Sequence, residues 1–130
     1  MVTVSKTLKA WFVFHFVADI LFALPLLILP ERFLAALGWT IVDPFAARLV
    51  AAALFGIGIE SFLSRNASPD SYRSMLDLKI IWSTAAVVAM VLTVWQYPSF
   101  RIIPAFLFIA VFVLFNAAWT YWRIRLGRAR

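Results

Sequence analysis

A histidine and an aspartate lie four residues apart inside the otherwise apolar run WFVFHFVADILFALPLLILP, residues 11–30. Four residues are slightly more than one helical turn, so His15 and Asp19 would lie on one face of a helix. An imidazole beside a carboxylate can relay a proton or hold a small polar ligand. Ionisable groups are rare in apolar helices because their burial is costly, so the pair calls for an explanation.

Other polar side chains lie at similar depths in three later apolar segments. If these segments are helices that cross a membrane, depth can be counted from its cytoplasmic edge at about 1.5 Å per residue. His15 and Glu60 then lie roughly 8 Å and 6 Å from that edge, and Asp19 roughly 14 Å. Asn116 lies roughly 10 Å in on the last segment. We therefore predict a polar pocket, used for ligand binding or proton relay, formed by His15, Asp19, Glu60, Lys79, Ser83 and Asn116. The alternative is that these groups are hydrogen-bonding contacts between helices, which contribute roughly 0.6 kcal/mol each.

A stripe of small residues predicts where the first two apolar segments pack. Ala52 and Gly56 lie four residues apart between two charged residues, Arg48 and Glu60, at the same spacing. Small residues let helix backbones approach closely in lipid. We therefore expect Ala52 and Gly56 to face the first helix, with Gly56 near Asp19. Arg48, reaching inward or through a water, would form a buried ion pair with Asp19.

The segments that carry these residues are long and apolar. Of the 130 residues 65% are hydrophobic, against roughly 45–50% in soluble domains, and 14% are charged, against about 25%. A hydrocarbon core about 30 Å thick needs about 20 helical residues. The sequence predicts an all-α fold, an integral membrane bundle of four transmembrane helices in a single domain over residues 1–130. The spans are about 9–30, 44–63, 76–97 and 102–122.

Local signals support these boundaries. Asp43 and Ser68 each precede a proline, which is typical of an N-cap followed by the first helical position. After Ser68 the third helix would begin in water and enter the membrane one or two turns later. Between the first two spans, PERFLAALGW predicts a short amphipathic helix at the interface that ends at Gly38.

Basic residues are distributed unequally between the two sides. Three lie on one side: Arg32, Arg48 and Arg101. Nine lie on the other: Lys6, Lys9, Arg65, Arg73, Lys79, Arg123, Arg125, Arg128 and Arg130. By the positive-inside rule, both termini are cytoplasmic and the protein is a multi-pass inner (plasma) membrane protein. The basic residues flank the apolar segments, so the net charge of +6 indicates membrane topology and no nucleic-acid partner.

Other chemistries receive less support. The absence of cysteine excludes disulfides and thiolate metal sites. His15, Asp19 and Glu60 could supply two or three metal ligands, but carboxylates facing a histidine are common without metal, so we predict no metal and no cofactor. Ser83 with His15 and Asp19 has the residue types of a nucleophilic triad, yet no nucleophile-elbow motif accompanies them. An enzyme therefore ranks third among the function classes, and no catalytic residue is assigned.

Two segments in the first half of the chain, LLILPERFLAALGW and DPFAARLVAAALFGIGIESFL, resemble the DoxX-like group of small four-helix bacterial membrane proteins and its relatives. The resemblance implies a four-span membrane fold and transfers no catalytic motif. The sequence thus favours a structural or accessory membrane protein whose partners are the lipid bilayer and other membrane subunits or further copies of itself. The alternative is a small carrier or binding protein that uses the polar pocket.

Overall fold

The computed structural model describes residues 3–128, and within that range every regular element is helical. Five α-helices follow one another: α1 (Lys6–Ile28), α2 (Pro30–Ala36), α3 (Pro44–Leu63), α4 (Pro69–Gln96) and α5 (Ile103–Arg128). Short 3₁₀ turns lie at Ser64–Asn66 and Pro98–Phe100. The all-α prediction is confirmed for this part of the chain. Arg130, one of the nine basic residues assigned to the predicted cytoplasmic side, lies outside the described residues.

Four of these helices, α1, α3, α4 and α5, are long and apolar enough to cross a membrane. They correspond to the four predicted spans. Many of their large apolar side chains are exposed: Leu21, Leu49, Ile81 and Leu114 are each exposed by 65–69%. Only 11% of the most apolar stretch of α4, and the same share in α5, is buried inside the protein. A hydrocarbon solvent accommodates such surfaces, whereas monomeric soluble proteins rarely carry them.

The helix starts follow the predicted capping chemistry. The Asp43 carboxylate accepts hydrogen bonds from the backbone N–H groups of Phe45 and Ala46 at 2.9 and 3.3 Å. The Ser68 hydroxyl accepts one from Ser71 N–H at 3.3 Å. These bonds satisfy amide groups that have no partner within the helix. Helix α4 therefore begins at Pro69, ahead of its apolar stretch, as the sequence predicts.

The short helix α2 ends as predicted around Gly38. Gly38 has φ 94°, which side chains with a Cβ rarely adopt. Trp39 N–H donates to Leu34 O at 3.0 Å, and Gly38 N–H donates to Ala35 O at 2.9 Å. This pair of bonds is a Schellman motif, which satisfies carbonyl groups at the end of a helix.

An arginine binds carbonyl oxygens at the C-terminal end of every long helix. At α1, Arg48 Nε donates to Leu27 O at 3.0 Å, and at α3, Arg65 Nη1 donates to Phe62 O at 2.7 Å. The last carbonyls of a helix lack intrahelical partners and carry a partial negative charge, so a guanidinium suits them. The other two pairs are at α4, where Arg101 donates to Val94 O and Trp95 O, and at α5, where Arg73 donates to Leu126 O.

The chain divides into two compact units, each built on a pair of packed helices. One unit, Ser5–Ala67, contains α1 packed on α3, with α2 between them in sequence. The other contains α4 packed on α5. The assignment of residues 1–130 to one domain stays a prediction.

Candidate functional site

The buried residues of α1 form one seam, and His15 and Asp19 belong to it. Successive members of this seam lie three or four positions apart, and they are Leu8, Phe12, His15, Asp19, Ala23 and Leu26. His15 is 8% exposed and Asp19 is 7% exposed. Both ionisable side chains are therefore removed from the exposed apolar surface of α1, where a charge in contact with hydrocarbon would be costly.

His15 and Asp19 contact each other directly. His15 Nδ1 lies 3.1 Å from Asp19 Oδ2, which is within ion-pair distance. The pair can share or exchange a proton, which is the chemistry expected of an imidazole beside a carboxylate.

The glycine that faces Asp19 is Gly58, which corrects the prediction for Gly56. A Cβ added to Gly58 would lie 2.8 Å from Asp19 Cβ and 3.2 Å from Asp19 Oδ2. At Gly56 nothing lies within 4 Å of an added Cβ, and Ala52 is exposed as well. Gly58 thus gives the carboxylate room at the α1–α3 contact, while Ala52 and Gly56 point outward.

Glu60 and Arg48 also differ from expectation, because they lie on the same outward stripe of α3. Glu60 is exposed and accepts a hydrogen bond from the Ser64 hydroxyl one turn later. Arg48 is exposed, and its guanidinium binds the carbonyl of Leu27. The expected inward-facing Glu60 and the expected Arg48–Asp19 ion pair are therefore both replaced by local contacts at the ends of helices.

The register of the α1–α3 pair identifies Ser61 as a residue that the sequence reasoning missed. Phe16 stacks on Phe62 with ring centroids 4.7 Å apart, and Asp19 meets Gly58. Since the helices run antiparallel, Ser61 lies near the level of His15. Ser61 is only 1% exposed, and its hydroxyl donates to Ile57 O at 2.6 Å. Its spacing of three from Gly58 is the signal that could have identified it.

In the second unit, the structure brings the predicted residues Ser83 and Asn116 together. Asn116 Nδ2 lies 2.8 Å from both Ser83 Oγ and Thr84 Oγ1, and 3.2 Å from Ile80 O. An amide NH₂ has two hydrogens for these three acceptors, so at least one hydrogen is shared. Ser83 Oγ in turn donates to Lys79 O at 2.7 Å. This network connects α4 to α5 and uses the donors that Asn116 and Ser83 possess.

Lys79, also predicted as a site residue, is buried, with 3% of its surface exposed. Its ammonium lies 5.1 Å from the centroid of the Trp119 ring, and Trp119 is itself almost fully buried. A cation over an indole face is attracted by the ring electrons, and the attraction grows as water is removed. Lys79 thus makes a cation–π contact between α4 and α5, one turn from the Asn116 network.

The sequence reasoning did not identify the ion pair between Arg123 and Asp77. Arg123 Nε and Nη2 donate to the two carboxylate oxygens of Asp77 at 2.7 and 3.1 Å. This two-bond geometry is the strongest arrangement that a guanidinium and a carboxylate can form. The pair was not recognisable because its partners lie 46 residues apart on different helices.

Taken by units, the predicted residues form two separate groupings: His15 with Asp19 on α1, and Ser83 with Asn116 between α4 and α5. Among residues 3–128 no group of three His, Cys, Asp or Glu side chains is arranged to hold a metal ion. That these residues bind a ligand or relay protons stays a prediction.

Comparison of the chain with protein-family models, curated proteins and solved structures finds no match. The resemblance of the first half to the DoxX-like group stays a prediction.

Proposed function

We propose that this chain is a structural or accessory protein of the inner membrane, with four spans and both termini in the cytoplasm, which packs against a helix of another membrane subunit. The observation that carries the proposal is the outward stripe of α3. Ala52 and Gly56 are exposed there, and an added Cβ at Gly56 would meet nothing within 4 Å. In lipid, such small residues favour close approach of a second helix.

The charges on this stripe distinguish a different subunit from a second copy. Arg48 and Glu60, both exposed, lie at opposite ends of the stripe. Two copies inserted with the same orientation and related by a two-fold axis would align their α3 helices in parallel. Arg48 would then face Arg48, and Glu60 would face Glu60, which like charges disfavour. We therefore expect a partner helix with an acidic residue at the level of Arg48.

Cysteine cross-linking tests the partner contact cleanly, because the sequence contains no cysteine. Gly56→Cys, labelled in native membranes with a benzophenone maleimide, should on illumination give an adduct with a distinct membrane protein that carries an acidic residue at the depth of Arg48. The photoprobe inserts into C–H bonds, so the partner needs no cysteine. Leu107→Cys is the matched control, since Leu107 is 60% exposed on α5. Adducts of the same yield from both sites, or no adduct from Gly56→Cys, would contradict the accessory role. A homodimeric adduct would replace the second subunit by a second copy.

A second candidate function, the small carrier or binding protein of the sequence analysis, is favoured by the buried pair. His15 and Asp19 lie 3.1 Å apart within an apolar helix. Ionisable groups at such positions more often serve ion or proton pathways than stability. In this reading the pair exchanges protons with cytoplasmic water or binds a small polar ligand.

The sequence contains a single histidine, so NMR of ¹⁵N-histidine-labelled protein in micelles reports on His15 alone. A proton site should give ring nitrogen signals that change with pH and a changed profile in Asp19→Asn. Asp77→Asn is the control, because Asp77 pairs with Arg123 in the other unit. Ring signals that stay constant across the accessible pH range would rule out the proton-relay function.

A further inference from the structure

Arg125 differs from five of the other six arginines whose side chains the structure describes. Four of those arginines bind the ends of helices, and Arg123 is neutralised by Asp77. Arg125 is exposed and has no ion pair with a carboxylate within residues 3–128. It is nevertheless held in position: Arg125 Nη1 donates to Tyr121 Oη at 2.8 Å, and its guanidinium carbon lies 5.6 Å from the Tyr121 ring centroid.

A guanidinium that is positioned but not neutralised has donors left for an anion. One nitrogen of Arg125 is used by Tyr121, and the remaining N–H groups of the planar fork can form two parallel bonds. Phosphate oxygens match that geometry better than a single point acceptor does. Arg32, by contrast, is exposed on the seven-residue helix α2 and carries no comparable aromatic support among its described neighbours.

The surroundings of Arg125 favour a lipid over a soluble phosphate. Tyr121 is 51% exposed, and its ring meets that of Trp122 edge-on with centroids 5.2 Å apart. Ile124, next to Arg125, is 47% exposed. Tyrosine and tryptophan are enriched where membrane helices reach the headgroups, and exposed apolar side chains beside them can contact acyl chains. A soluble phosphate would gain nothing from these apolar neighbours.

We propose that Arg125 and Tyr121, at the C-terminal end of α5, bind the phosphate of an anionic phospholipid headgroup. The guanidinium binds the phosphate oxygens, Tyr121 fixes the guanidinium, and the exposed apolar side chains of the same turn contact the lipid chains. This inference rests on the proposed membrane insertion of the chain. It does not depend on the accessory role or on the His15–Asp19 pair.

Native mass spectrometry of the full chain tests the site, with protein released from mixed micelles that contain phosphatidylglycerol and phosphatidylcholine. The wild type should retain phosphatidylglycerol in preference to phosphatidylcholine. Arg125→Ala should weaken this preference about fivefold, the effect of one basic side chain near an anionic surface. Tyr121→Phe keeps the ring and removes the acceptor of Arg125, so we expect a loss of about twofold. Arg32→Ala removes the same charge elsewhere and should retain the wild-type preference.

The outcomes separate this site from its alternatives. An unchanged preference in Arg125→Ala, or equal losses in Arg125→Ala and Arg32→Ala, would overturn the site and leave only nonspecific charge attraction. Displacement of the lipid by inorganic phosphate alone would reassign the ligand to a soluble phosphate and overturn the lipid assignment. Failure of the chain to enter micelles or bilayers at all would instead contradict its membrane placement, which is a separate result.

Discussion

Gly56 and Gly58 lie two residues apart on α3 and have opposite surroundings. Gly58 faces Asp19 at a distance that leaves no room for a methyl group, whereas Gly56 faces outward. Two residues correspond to about 200° of rotation around a helix, so neighbouring glycines of one segment can serve unrelated purposes. The role of each glycine therefore depends on the rotation of α3 about its axis.

Gly58→Ala should destabilise the protein by about 1–3 kcal/mol, because the new methyl group must displace the Asp19 side chain or separate α1 from α3. Gly56→Ala meets no neighbour and should leave stability unchanged, or raise it by about 0.5–1 kcal/mol through helix propensity. Thermal unfolding in one detergent, with the two variants measured side by side, checks the difference. Equal melting temperatures for the two variants would contradict the packing of Gly58 on Asp19.

Asn116→Ala should also destabilise the protein, since it removes the donor shared by Ser83, Thr84 and Ile80. Hydrogen bonds between membrane helices contribute on average about 0.6 kcal/mol and at most about 1.7 kcal/mol, so we expect a loss within that range. Asn66→Ala, which removes one long contact to Lys9 on the surface, serves as the control. Unfolding measured as above should show a smaller change for the control than for Asn116→Ala.

At the scale of a helix, its ends were predictable and its rotation was not. The Asp43 and Ser68 caps and the Gly38 terminus depend on residues within a few positions of each other, so local sequence contains them. The buried face of α3 instead follows a spacing of three, four and three through Ala51, Leu54, Gly58 and Ser61. The predicted stripe used a constant spacing of four. Each such step rotates about 40° around the helix, so the stripe drifts away from a straight seam.

The same reasoning explains which of the predicted residues are buried. A single step of four residues joins His15 to Asp19. The rotation between them is only about 40°, so both lie on the buried face of α1. Glu60 lies three steps from Arg48, and the whole stripe turns away from α1. An apolar helix in lipid also has little contrast between its faces, so hydrophobicity gives no independent correction.

The arginine contacts at helix ends lead to a prediction for α4. Arg101 binds the carbonyls of Val94 and Trp95, and without it these groups lose a charged donor at the end of the helix. Arg101→Ala should therefore cost about 1–2 kcal/mol. Arg32→Ala, which removes an exposed arginine on the same predicted side, should cost less than about 0.5 kcal/mol. Chemical or thermal unfolding of the two variants measures the difference, and equal losses would exclude the capping role of Arg101.

At the scale of the whole molecule, four crossings require that both ends of the chain lie on the same side. Ser99, between α4 and α5, must then lie opposite the C-terminus. Reporter fusions after Ser99 and after Arg130 should show opposite locations, with the Arg130 fusion in the cytoplasm. The same location for both fusions would eliminate the four-span arrangement.

The arginines that bind the C-terminal ends of the long helices also affect how many basic residues can determine the orientation of the chain in the membrane. Arg48 and Arg101 bind the C-terminal ends of α1 and α4 on the predicted outer side. Arg65 and Arg73 bind those of α3 and α5 on the predicted cytoplasmic side, so each side holds two such residues. A helix ends with the same negative pole whichever way it is inserted, so these four residues follow helix direction and contain no orientation signal. Among the remaining basic residues, Arg32 alone lies on the predicted outer side. The difference in basic residues between the two predicted sides is therefore larger, in proportion, than the full set suggests. Most of the residues that produce it lie near the two termini.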